Sequence, residues 1–184
     1  IEVAAALLQP NDPRLLHKRL FSSNDIDLYE ENDSYEEGQK KLLDKRILAI
    51  GEIIELGGLE AVLEFATTVE SPYQVGCGAA KLSNPELDTQ ILPDLLISAD
   101  IAINGFVANY AFWRFLDAGE AWLDGLDQTG WEVAQSCALL KSLPFDQPVW
   151  ARVDAWLGES AADYWQEVSV NPYQTEAGLE HAIG

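Results

Sequence analysis

Along most of the chain, apolar residues recur at three- and four-residue intervals, the spacing that places them on one face of a helix. Tyr35–Leu56 is predicted as the longest helix, with Leu42, Leu43, Ile47, Ile50, Ile53 and Ile54 inward, ended by Gly57-Gly58, since glycine suits a left-handed cap. Leu59–Thr67 follows, with Leu59, Val62, Leu63 and Ala66 inward. Ser71-Pro72 and Ser83-Asn84-Pro85 read as helix starts, because proline is tolerated in a first turn, and Pro93 bends or ends the segment that follows. Ile97–Leu116 is apolar on nearly all sides, as a helix covered on both faces would be. Asn104 and Arg114 interrupt its Ile101–Leu116 part, and Ala118-Gly119 separates it from Glu120–Leu126.

The stretch from Gly130 to Trp165 holds four of the chain's six Trp, namely Trp131, Trp150, Trp156 and Trp165. Val133, Cys137 and Leu140 form one stripe, Pro144 breaks it, and Val149, Trp150, Val153, Trp156 and Leu157 form the next. At the N-terminus, Ile1–Gln9 is predicted as a short apolar helix, and Asn11 or Asp12 caps a second one that carries Pro13 in its first turn. Nowhere is there sustained apolar–polar alternation or a hairpin dipeptide between strand-like runs. The expected fold class is therefore all-α, with antiparallel helix pairs stacked as a short α-solenoid or an irregular bundle.

The pattern also repeats. Glu60-Ala61-Val62-Leu63-Glu64 returns as Glu120-Ala121-Trp122-Leu123-Asp124, and Pro72-Tyr73-Gln74-Val75-Gly76 resembles Gly130-Trp131-Glu132-Val133-Ala134. One unit reads as long helix, Gly break, short helix, loop, aromatic helix and Pro turn, with a period of about sixty residues. Residues 1–184 are thus expected to form one all-α domain. Within it, 38–97 and 98–158 are tandem units, 1–37 are N-terminal helices, and 159–184 start a further unit. The chain begins at Ile1 and has no Met, which reads as a piece of a longer protein.

Lys45-Arg46, Gly57 to Leu63, Trp131-Glu132-Val133-Ala134, Glu159 with Tyr164-Trp165, and Asn171-Pro172-Tyr173 before a helix start at Glu176 carry a resemblance. From Gln39 to Gly184 the chain resembles the HEAT/TPR-like helical-repeat regions of large multidomain bacterial proteins. That resemblance implies a scaffold or sensing region, with any catalysis in neighbouring domains.

Composition narrows the choice. The net charge of −20 would be repelled by nucleic acid and by an anionic membrane, and it suits a basic partner. No apolar run approaches the ~18 residues of a membrane helix, no signal peptide is visible, and a cytoplasmic location is expected. Cys77 and Cys137 read as small core residues rather than a disulfide or metal set. Lys40, Lys41, Lys45 and Arg46, set against Glu36, Glu37, Glu52 and Glu55, read as a salt-bridged helix face rather than an anion site. The acidic run Asp25, Asp27, Glu30, Glu31, Asp33 lacks the ligand spacing of a calcium loop.

His17 and His181 stand at opposite ends without triad or metal partners. No P-loop, dinucleotide fingerprint, nucleophile elbow or HExxH occurs. The expectation is a non-enzymatic chain without cofactor or metal, a helical-repeat scaffold whose partner is a protein or another domain of the same chain. The alternative is an acidic inhibitor that imitates nucleic acid. The rings mostly read as core. The candidate interaction surface is Trp150, Asp154, Glu159, Tyr164 and Trp165, because Tyr164-Trp165 end a helix beside a loop.

Overall fold

A computed structural model describes residues 12–24 and 34–168. The readings at Ile1–Gln9, Asp25–Asp33, Asn171–Tyr173, Glu176 and His181 lie outside the described residues. Among those described there is no strand, and the fold is all-α. The helices are α1 (Pro13–His17), α2 (Tyr35–Thr68), α3 (Pro72–Lys81), α4 (Pro85–Ile91), α5 (Ile101–Asp124), α6 (Val133–Ser142), α7 (Gln147–Leu157) and α8 (Ala161–Glu167).

Most helix starts lie where the cap chemistry puts them. Asp12, Ser34, Asn84, Asp100 and Asp146 each accept a backbone N–H of the first turn, satisfying donors that would otherwise be orphaned. Asp100 does this for Ala102 and Ile103, so α5 begins at Ile101 and not at Ile97. Residues Asp94–Ile97 form a separate 3-10 turn.

Gly57-Gly58 and Gly119 break the helical backbone as expected, and a second helical segment follows each break across a kink. Helix α2 runs on to Thr68 through Gly58 at φ 64, ψ −156, and α5 runs on to Asp124 through Gly119 at φ 65, ψ −156. That region of backbone space is essentially reserved for glycine. Two equal breaks in the two longest helices mark equivalent points.

From these points the elements keep step. The interval from Gly58 to Gly119 is the same as that from Pro72 to Val133, where α3 and α6 begin, and from Lys81 to Ser142, where they end. Burial follows the same interval. Leu42, Arg46, Ala49, Ile50, Ile53, Ala61 and Val62 are buried in α2, and Ile103, Val107, Tyr110, Ala111, Arg114, Trp122 and Leu123 in α5. In this register Ala61-Val62 matches Trp122-Leu123, one residue off the Glu60/Glu120 alignment read from the sequence.

The α2 stripe is also rotated from the predicted one. Leu43, Ile47 and Ile54 are half-buried, while Arg46 and Ala49 point fully inward. Arg46 is buried rather than exposed. Its Nε donates to the Leu20 carbonyl at 2.7 Å and its Nη1 to Gln74 Oε1 at 2.9 Å. A backbone carbonyl left open by the 3-10 turn at Lys18–Phe21 explains the need for a buried donor there, since an unpaired buried carbonyl is costly.

Helix α3 lies between α2 and α5 and packs on both. Its run from Val75 to Ala80 is wholly buried, which requires small residues. A Cβ on Gly76 would stand 2.1 Å from the Phe106 carbonyl oxygen, and one on Gly78 3.0 Å from the Ile50 side chain. Close helix approach of this kind packs backbone against backbone, so added volume cannot be absorbed by rotamer changes.

Candidate functional site

The buried chemistry of the molecule gathers at the bend of α5. Asp88, on α4, is buried and receives four donors. Its Oδ1 accepts the Tyr110 hydroxyl at 2.6 Å and Arg114 Nε at 2.9 Å, and its Oδ2 accepts Arg114 Nη2 at 2.6 Å and Trp122 Nε1 at 3.1 Å. Tyr110 and Arg114 precede Gly119 and Trp122 follows it. One carboxylate therefore ties together both halves of the bent helix.

Charge-assisted bonds of this kind are short and strong, and the arrangement satisfies every buried partner. The hydrogen bonds to Asp88 hold the Arg114 guanidinium more firmly charged. Burial, then the bond to Asp88, raises the Tyr110 hydroxyl above its ordinary range. A carboxylate with about four acceptor sites, all filled, is not placed to take a proton from a substrate. Its evident work is to hold a charge pair and a bend in place.

Beside this network lies a cleft of about 590 Å³, bounded by α4, the end of α5 and the loop that follows. Its walls are largely apolar, from Pro85, Leu92, Pro93, Trp122, Leu126 and Trp131, with Asp88, Arg114, Thr89, Asp127 and Thr129 among them. This size and character are those of small-ligand or peptide-anchor pockets. Arg114 uses Nε and Nη2 on Asp88, and its Nη1 has no protein partner among the described residues. The guanidinium is thus a buried group with one edge facing its pair and another available on the cleft wall.

The first bend has a cleft too, of about 490 Å³, bordered by Asp12, Arg14, Leu56, Gly57, Glu60, Ala61 and Glu64. Glu60, Ala61 and Glu64 occupy the positions that Ala121, Trp122 and Gly125 hold at the second. Here residues from before α2 form part of the wall. Helix α1 packs on α2, and Arg14 bridges Asp12 and Glu64.

The surface expected from the sequence is divided. Tyr164 is fully buried and Trp150 nearly so, and with Phe145 and Trp165 they form a ring cluster whose centroids are 4.7–6.4 Å apart. Trp150 and Tyr164 are therefore core and present no face to a partner. The reason is packing: α6, α7 and α8 close on one another, and this cluster fills their common interior. Trp165 is half-buried, and Asp154 and Glu159 are exposed on the outside of the same helices. These five residues do not make one surface.

Neither histidine nor cysteine adds a reactive site in the described residues. His17 Nε2 lies 2.7 Å from Glu52 Oε2. Both thiols are buried, and burial pushes Cys77 up to about 11 and raises Cys137, so little thiolate forms at neutral pH. No group of three His, Cys, Asp or Glu side chains is placed to hold a metal among the described residues. No helix among them is long and apolar enough to cross a membrane.

Sequence reasoning missed the Asp88 network because its members are far apart in the chain. One signal was available: Arg114 inside the most apolar stretch, where an unpaired charge could not persist. Against known proteins, the chain matches no family model, no curated protein and no solved structure.

Proposed function

We propose that the chain is a non-enzymatic helical-repeat scaffold that docks a protein segment, from a partner or from another domain of its own chain, in a bacterial cytoplasmic protein. The observation that carries this reading is the recurrence, at one interval, of a long bent helix and the short helix behind it, with the same burial stripe. Units of this kind cannot bury both faces alone and stack on neighbours, and stacking leaves clefts at their bends.

Two further features support it. The acceptor sites of Asp88 at the α5 bend are filled by Tyr110, Arg114 and Trp122, which suits support rather than turnover. The cations are also largely engaged within the chain. Lys81 pairs with Asp117, Lys141 with Glu167, Arg152 with Glu120 and Asp124, and Arg114 with Asp88. With 31 acidic residues against 11 basic ones, the outward charge is acidic and favours a basic segment.

Selection of a random displayed peptide library on the folded chain tests the reading. The expected result is a family of peptides in which an apolar anchor is flanked by Lys or Arg. Failure to enrich any sequence family would contradict docking. Enrichment of dense Lys/Arg runs without an apolar anchor, with binding that collapses steeply with salt, would instead favour the nucleic-acid mimic.

A further inference from the structure

A third cleft differs in sign from the two at the bends. It has a volume of about 430 Å³ and lies where α2, α3 and α5 meet. Asp88 and Asp127 stand on the wall of the cleft at the α5 bend, and Asp12, Glu60 and Glu64 on that of the other. No carboxylate lines the third, in a chain with 31 acidic residues. Its charged wall residues are Lys40 and Arg46, both from the basic cluster of α2. Lys40 is exposed and has no hydrogen bond or ion pair among the described residues. Exposed charges farther away than a Debye length, ~8 Å at physiological salt, are largely screened. The local wall therefore governs what a small ligand meets there, more than the net charge does.

Arg46 also sets the chemistry of its neighbour. Its Nη1 donates to Gln74 Oε1 at 2.9 Å, which fixes the amide and leaves the Gln74 NH2 as a donor without a protein partner among the described residues. Gln74 lines the cleft from the first turn of α3, where the helix dipole adds to the positive potential. The apolar part of the wall is supplied by Leu43, Tyr73 and Trp113. The Trp113 indole is held by the Lys81 ammonium, 4.4 Å from its ring centroid and itself paired with Asp117.

We propose that this cleft binds a small aromatic carboxylate, with its ring against Tyr73 and Trp113 and its carboxylate held by Lys40 and the Gln74 amide. Among the described residues Lys40 is the one cation on this wall without a partner, which suits a monoanion better than a phosphate dianion. The volume lies toward the small end of ligand pockets and suits a body of one or two rings. The site is independent of the docking reading and stands or falls without it.

The probe is 2-naphthoate, titrated into the full chain labelled with 5-fluorotryptophan and followed by 19F NMR, with the Trp113 signal assigned from Trp113→Phe. A saturable shift of that signal is expected. The neutral 2-naphthamide should bind about tenfold more weakly, and so should 2-naphthoate to Lys40→Gln, each through loss of a charged hydrogen bond. Lys41→Gln removes the same charge one residue away and off the cleft wall, and should leave the affinity unchanged. Gln74→Glu keeps an acceptor for Arg46 while placing a carboxylate on the wall, and should weaken binding about tenfold or more. No saturable Trp113 shift at millimolar 2-naphthoate, equal affinity for the amide, equal losses in Lys40→Gln and Lys41→Gln, or full binding by Gln74→Glu would overturn the site. Tighter binding of 2-naphthyl phosphate would overturn the assignment to a carboxylate.

Discussion

The two bends of this molecule share a backbone and differ in almost everything attached to it. Gly58 and Gly119 have nearly the same φ and ψ. At the first, Leu56, Ala61 and two glutamates border a cleft that Arg14 of α1 spans from Asp12 to Glu64. At the second, an indole and a buried guanidinium are fixed by a carboxylate from α4. The backbone geometry of a repeat is set by few residues, here one glycine per unit and a short helix of matching length. What each bend offers to the outside is set by residues that need not match at all.

The comparison breaks most visibly at Asp88. Removing it by Asp88→Ala leaves Arg114 buried and unpaired and releases Trp122 from the far side of the bend. Loss of one partner of a buried pair costs about 3–5 kcal/mol, to be read from urea unfolding midpoints. Arg114→Ala should fall in the same range, and the double variant should cost less than the two losses added, because the two residues share one network.

Next in size is the contrast between α3 and α6, which correspond in register but not in surroundings. Gly76 matches Cys137, and Gly78 matches Leu139. Helix α3 sits between two long helices, whereas α6 packs on α5, α7 and α8 without a second long helix against it. Gly76→Ala gains about 1 kcal/mol of helix propensity. Its Cβ would nevertheless meet Phe106 O at 2.1 Å and Tyr110 N at 3.1 Å, and overpacking against backbone costs about 3 kcal/mol. Net destabilisation is expected in thermal unfolding. Cys137→Gly, the reverse exchange at the partner position, removes a buried side chain and should cost about 2 kcal/mol, chiefly lost burial and the cavity left behind.

The bends themselves should respond alike. A Cβ at Gly58 or Gly119 meets nothing within 4 Å, so Gly58→Ala and Gly119→Ala test backbone strain alone. Each should lose about 1–3 kcal/mol, and the two losses should agree more closely with each other than with any other pair. A large difference would mean that the bends are not equivalent. The smallest effect is expected from Arg14→Ala. Its pairs with Asp12 and Glu64 are solvated, and such pairs contribute little, so its unfolding midpoint should barely move.

Much of this was legible in the sequence, for reasons that differ by element. Helix class and most starts followed from local chemistry: Asn84-Pro85, Asp12-Pro13 and Asp146 with Pro148 act within one turn. The positions of both bends were legible too, because Gly57-Gly58 and Ala118-Gly119 interrupt long stripes. The angle of the kink at each break was not, since it depends on what receives the next turn. Ala61-Val62 and Trp122-Leu123 are buried only because helices distant in sequence cover them.

Arg46 was grouped with Lys40, Lys41 and Lys45, which are exposed; one step of helical phase separates them from the core, where its guanidinium meets Leu20 and Gln74. Tyr164 and Trp150 looked free because they stand near a helix end and a Pro turn. Three helices meeting at Phe145 enclose them instead. The Asp88 network required three dimensions: four residues on two helices, none adjacent to another in sequence.

Hydrogen–deuterium exchange on the full chain, with and without a library-selected peptide, tests the central claim most directly. If the chain docks a protein segment, one contiguous patch of the fold gains protection when the peptide is added and the rest is unchanged. No gain in protection anywhere at saturating peptide would contradict the docking reading.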